Sequence, residues 1–216
     1  MRLQKYLNEE KYWLDDMDEV VDILKKNCKQ YINDVKNHYN GNFLLSGRKG
    51  EVFFDKRRVR KDRKPKDTPL EIHEAMDDWF KDEFGIRFRS NSFFAGFIRK
   101  IVAWYGETYM VFPIGKYLAI SSPNIKDIYM TIEDYMGKTT EVLDLKDDWN
   151  ILDDASKETA IDGIEHILDK ADYKDVRKGY NEKNEVMVHC DEYYVLFYDS
   201  ILREIGINNL LKKLTT

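Results

Sequence analysis

The chain has 216 residues and a net charge of −5, with 35 Lys and Arg against 40 Asp and Glu. That length allows one large domain or two small ones, with a core that needs no disulfide staples; 43% hydrophobic and 13% aromatic residues exclude disorder throughout. No apolar run approaches the roughly 20 residues of a membrane span, Met1 to Asp18 is too charged for a signal peptide, and two distant cysteines, Cys28 and Cys190, with no CxxC pair exclude a zinc ribbon. The cytosol is the simplest compartment.

The first 40 residues predict a helix or helix pair: Leu14, Met17, Val21, Leu24, Cys28, Tyr31, Ile32 and Val35 recur at three- and four-residue steps. Asn40-Gly41-Asn42 ends the pattern. Phe43 to Ser46 reads as a short buried strand running into Gly47-Arg48-Lys49-Gly50, and Lys56 to Lys66 as a basic loop. Thr68-Pro69-Leu70-Glu71 opens a helix that ends near Gly85. Ile86 to Phe94 alternates as a strand, and Ile98 to Tyr105 is a short helix closed by Gly106. Thr108 to Ile114 and Tyr117 to Ser121 predict a hairpin around Gly115. Ser122-Pro123 opens a loop, Ile125 to Met136 is helical, residues 141 to 155 are an acidic loop, and Lys157 to Lys170 is helical. Glu185 to Cys190 and Tyr193 to Tyr198, split by Asp191-Glu192, predict an antiparallel pair, and Ser200 to Leu214 a terminal amphipathic helix. With helices early and strands rarely in β-α-β alternation, the fold class is α+β. No GxGxxG or P-loop is present.

Three short pieces carry chemistry. Arg48 follows a hydrophobic strand between Gly47 and Gly50, which permit close backbone approach; its planar fork suits phosphate or carboxylate, although arginines at strand ends are more often solvated. Ser90 and Ser92 alternate onto one face and can orient a carboxylate or a sugar hydroxyl, or simply end a strand. Glu185, preceded by the polar loop Arg177 to Lys183, opens an apolar strand. A carboxylate there is either an ordinary edge residue or one that accepts from a sugar hydroxyl and stabilises positive charge at an anomeric carbon.

In this order and spacing the set resembles the Arg–Ser–Glu class of ADP-ribosyltransferases, over roughly residues 43 to 198. Tyr109 to Tyr117, YMVFPIGKY, and Ser121-Ser122-Pro123 are similar to phage-encoded members. The resemblance implies a split antiparallel β-sheet core, residues 43–216, with a helical segment, 1–42, packed alongside. It implies an NAD-dependent mono-ADP-ribosyltransferase that needs no metal, acting in the host cytoplasm on a bacterial host protein or nucleic acid, with no membrane partner. Glu185, Ser90 and Ser92 would be catalytic. Arg48, Gly47, Gly50, Phe93 and Phe94 would bind NAD, one phenylalanine ring stacking on nicotinamide. Tyr180 and Lys183 fall in the target-recognition loop. The sequence departs from the pattern at Lys49, where the family has Gly, and at Lys183, where many members have Gln or Glu. The alternative reading is a catalytically silent protein of the same fold that inhibits a host factor.

Within the basic run, Arg57, Arg58, Arg60 and Arg63 are the candidates for an acidic partner, against a plain solvated loop. The run lacks interleaved aromatics, so it shows no sign of single-strand stacking. His189, Cys190 and Asp191 alternate to opposite faces and do not form a shared site. His38, His73 and His166 read as surface or core residues of helices.

Overall fold

The computed structural model describes residues 9–49, 52–65, 67–139, 147–181 and 183–216, with side chains from residue 17 onward. Gly50, Lys66, residues 1–8 of the predicted N-terminal helix and residues 141–146 of the predicted acidic loop lie outside the described residues.

In chain order the helices are α1 (Glu9–Asn27), α2 (Lys29–Asn37), α3 (Leu70–Phe84), the single turn α4 (Phe88–Asn91), α5 (Arg99–Val102), α6 (Ile128–Thr139), α7 (Asp154–Ala171), α8 (Tyr198–Glu204) and α9 (Ile207–Thr215). The strands are β1 (Leu45–Arg48), β2 (Phe54–Arg58), β3 (Phe93–Ala95), β4 (Glu107–Pro113), β5 (Leu118–Ser121), β6 (Lys174–Asp175), β7 (Val186–His189) and β8 (Glu192–Phe197). The protein is α+β, about half helical, with two four-stranded antiparallel sheets. The first runs β1-β4-β8-β2 and the second β3-β7-β5-β6. A bridge between Leu45 and Gly96 joins them where β1 meets β3. Among the described residues no helix is long and apolar enough to cross a membrane.

Two hydrophobic clusters fill the molecule. Leu24, Cys28, Tyr31 and Val35 of α1 and α2 pack in the same cluster as Phe112 and Leu196 of the first sheet. Ile72, Met76 and Phe80 of α3 join Ile132 of α6, Ile164 and Leu168 of α7, and Met187 of the second sheet. A buried polar chain ties α2 to the sheets: the Tyr39 and Tyr117 hydroxyls lie 2.8 Å apart, and Tyr117 donates to Asp34 at 2.8 Å. Tyr117→Phe leaves Asp34 short of a donor in a buried place, and should lower stability by about 2 kcal/mol in urea unfolding with the slope unchanged.

Four expectations are corrected. Both predicted hairpins are crossings between sheets: β4 belongs to the first and β5 to the second, and likewise β8 and β7. Period-two patterning gives strands but not partners. Here the edges of β7 are taken by β3 and β5, and those of β8 by β4 and β2. The basic run is not all loop, because its start forms β2 on the edge of β8, where Lys56 and Arg58 both pair with Glu192. The predicted strand Ile86 to Phe94 holds α4 before β3 begins. Asp77 of α3 causes this by accepting from the Arg89 N–H at 2.7 Å and the Ser90 N–H at 3.1 Å, which winds the backbone into a turn. The terminal helix is broken at Gly206, whose φ of 76° an L-residue rarely adopts.

Candidate active site

Asn184 and Glu185 lead the chain into β7. Asn184 is buried and its amide donates to the Ser122 carbonyl. Ser122 in turn accepts from the backbone of Asn124 and Ile125. The Glu185 N–H donates to the Lys126 carbonyl at 2.9 Å, and its carboxylate accepts from the Ile128 N–H at the start of α6. Loop and strand thus hold the carboxylate from two sides. Burial pushes the Glu185 carboxyl up to about 7, with Asp127 adding to the rise and Arg89, the Ile128 N–H and Arg63 opposing it. The group titrates where a proton can be taken or given at neutral pH.

Phe94 pairs with Met187 across β3 and β7, so by alternation Glu185 shares the Phe94 face. Two guanidinium groups converge there: Arg63 lies 4.3 Å and Arg89 4.9 Å from the Phe94 ring centre. Neither makes an ion pair within 4.0 Å among the described residues, and the Arg89 Nε is buried without a hydrogen-bond partner. Cations held together, unpaired, over one ring form a receptor for an anion.

Ser90 adjoins this group through its backbone, but its hydroxyl is otherwise engaged. It donates to Asp77 and lies 3.0 Å from the His73 Nε2. Burial lowers the pKa of His73, more than Asp77 raises it. Asp77 and His73, one helical turn apart, both approach the same hydroxyl, and the His73 Nδ1 has no partner. A charge-relay nucleophile needs the acid on the far nitrogen of the imidazole, so this is an anchor for α4 rather than an activated serine. Asp77→Ala should cost about 3 kcal/mol in thermal or urea unfolding, because two backbone donors and a hydroxyl lose their buried acceptor at once. Ser92 is buried, and its hydroxyl has no partner.

Arg48 lies elsewhere. Its guanidinium is 5.0 Å from the Tyr193 ring centre, and Tyr193 packs on Phe93 at 4.4 Å. Phe93 and Phe94 point to opposite faces of β3, so the structure puts Arg48 with Phe93, and Glu185 with Phe94. The Arg48 Nε is buried and unpaired, at a cavity of about 300 Å³ that Lys49, Arg57, Tyr105 and Tyr109 also line. Tyr105 joins the two halves: it lines the Arg48 cavity, and burial raises its pKa with Asp127 and Glu185 adding to the rise. The space beside Gly47 is filled by the chain itself. A Cβ there would sit 2.0 Å from the Val102 carbonyl oxygen, so Gly47 serves packing against the 99–105 turn.

Tyr180 stacks on Tyr39 with ring centres 6.2 Å apart, meets Phe97 edge-on at 4.8 Å, and takes a hydrogen bond from Asn42. It is part of the wall against α2 rather than a free recognition ring. Lys183 is exposed beside it in the chain, its N–H on Asn181. The His189 Nδ1–H donates to the Asn91 carbonyl at 2.9 Å and so caps the end of α4. Among the described residues no three His, Cys, Asp or Glu side chains converge as metal ligands.

The sequence reading missed Arg89, Asp77, Asp127 and Tyr105. The one local signal was His73 and Asp77 at i,i+4 on α3, which share a helix face. Arg89 carried none, since its value comes from the α4 turn that Asp77 imposes. No family model matches the chain, and neither a curated protein nor a solved structure matches it significantly.

Proposed function

We propose that the protein is an NAD-dependent mono-ADP-ribosyltransferase of the Arg–Ser–Glu class, phage-encoded in type and acting on a macromolecule of a bacterial host, with the two sheets forming the family's split core. The observation that carries this reading is Glu185: a half-buried carboxylate pushed up to about 7, beside two unpaired guanidinium groups and the Phe94 ring. The residues suit the parts of NAD. Arg63 and Arg89 match a diphosphate, and Phe94 and Tyr105 offer ring faces. Bound there, NAD supplies an electrophilic ribose carbon and a neutral leaving group. Glu185 holds a ribose hydroxyl and, ionised, favours positive charge at the neighbouring carbon. The same carboxylate can take the proton from the attacking group. Arg48, at the Tyr105 end of the cavity, is left to orient the substrate's far portion.

Separation of Arg48 from the Glu185 face favours a second reading, a protein of this fold that binds a host factor without catalysis. Mass spectrometry after incubation with labelled NAD and bacterial lysate separates the two. ADP-ribose adducts that vanish in Glu185→Gln support transfer; unconsumed NAD and no adducts support the silent binding protein.

A further inference from the structure

The proposed transferase chemistry leaves unused Trp104, next to Tyr105 in the aromatic corner at the end of the 99–105 turn. Trp104 is 86% exposed and Tyr105 67%. Large rings are seldom left this bare on a protein surface without a partner. The corner is not loose. A Cβ on Gly47 would meet the Val102 oxygen at 2.0 Å, and one on Gly106 would meet the Arg48 oxygen at 2.4 Å. Backbone therefore lies directly on backbone, and the turn is fixed against β1.

Cations border the Tyr105 ring. Tyr105 lines the same cavity as Lys49 and Arg57. Lys49 is exposed and makes no ion pair among the described residues. Arg57 pairs with Asp55 at 2.6 Å in an exposed position, where exchanging one anion for another costs little. Lys56 and Arg58, its neighbours on β2, alternate to the opposite face and pair with Glu192. Besides Asp55, Glu107 is a carboxylate nearby, paired across the strands with Arg48.

We infer that this corner binds single-stranded nucleic acid, a base stacking on Tyr105 while adjoining phosphates lie against Lys49 and Arg57, and the next base stacking on the bare Trp104 ring. A bare ring set beside point cations is what a strand of alternating π-faces and phosphates requires. A duplex hides its base faces and could use only the cations. The sequence run Lys56 to Lys66 lacks aromatics of its own, and the fold supplies them from the 99–105 turn. The site shares Tyr105 and the Arg48 cavity with the proposed NAD site but needs neither Glu185 nor NAD, so binding measured without NAD separates its failure from that of the transferase reading.

The test is fluorescence anisotropy of the full chain with end-labelled oligo(dT) and oligo(U) of about 12 nucleotides, beside a duplex of equal length. Saturable binding to either strand chemistry is expected, with the duplex bound at least about tenfold more weakly. Trp104→Ala should weaken binding roughly tenfold. Neutralising two phosphates gives a slope of about −1.4 for log K against log salt, and Lys49→Ala should reduce its magnitude by about 0.7. Glu107→Gln should tighten binding at low salt. Trp104 is bare, so its removal leaves the fold intact and the comparison clean. No saturable binding, duplex binding as tight as single-strand binding, or unchanged affinity in Trp104→Ala would each overturn the assignment.

Discussion

Glu185→Gln is expected to lower ADP-ribosyl transfer at least about a hundredfold and to stabilise the protein above pH 7. Both effects come from one cause. The carboxyl has an ordinary value of 4.5 and is pushed up to about 7 in the folded chain, chiefly by burial. The folded state therefore holds this proton more tightly than the unfolded state does. Its contribution to stability is fully present below pH 4.5 and is lost as pH rises to 7, a difference of up to about 3 kcal/mol. Glutamine keeps an acceptor for the Ile128 N–H but carries no charge, so it avoids that loss. Urea unfolding of both proteins across pH 4 to 8 should show curves that coincide at the acid end and separate towards neutrality. Transfer by the wild type should rise with pH through about 7, as the ionised form accumulates. Curves that never separate would show that the carboxylate is not buried at cost. Separated curves with unchanged transfer would keep the burial and remove the chemical role.

Gly47→Ala should destabilise the protein by on the order of 3 kcal/mol or more, a large part of the stability of a domain. The new methyl would stand 2.0 Å from the Val102 oxygen and 2.9 Å from the Tyr105 Cβ. The first is backbone, and cannot yield by a rotamer change. Either β1 shifts from β4, or the 99–105 turn lifts from β1. The second outcome would also move Tyr105 from the Arg48 cavity. A urea midpoint well below that of wild type is the expected readout, whereas Gly85→Ala, with open space around its Cβ position, isolates the smaller cost of a positive φ of 73°.

Much of the fold is legible locally. The helix spacing at Ile72, Met76 and Phe80, and at Ile164 and Leu168, is the spacing of residues that reach the core. Helix α7 begins where Asp153 caps it through the Ser156 N–H. What could not be read is what depends on partners far along the chain. Neither Asp191-Glu192 nor the Gly115 turn announces that it crosses between sheets. The same limit applies at the site. Glu185 was visible as a charge at the head of an apolar strand, but Arg89 becomes a neighbour only because Asp77 bends the preceding backbone. Arg48 was visible too, and alternation along β3 sets it against Phe93 rather than Phe94.

The strand order bears on how the chain is made. In the first sheet β8 lies between β4 and β2, and in the second β7 lies between β3 and β5. A ribosome delivers β7 and β8 after every other strand. Until Phe197 has emerged, β2 has no neighbour at all, and β3 and β5 are edges facing a gap. The nascent protein must carry those open edges through most of its synthesis, with only its helices and the β1–β4 and β5–β6 pairs able to settle before β7 is made. Sheet closure is thus a late and largely non-local event, and a chain stopped before β7 has lost the middle of both sheets rather than a margin of one.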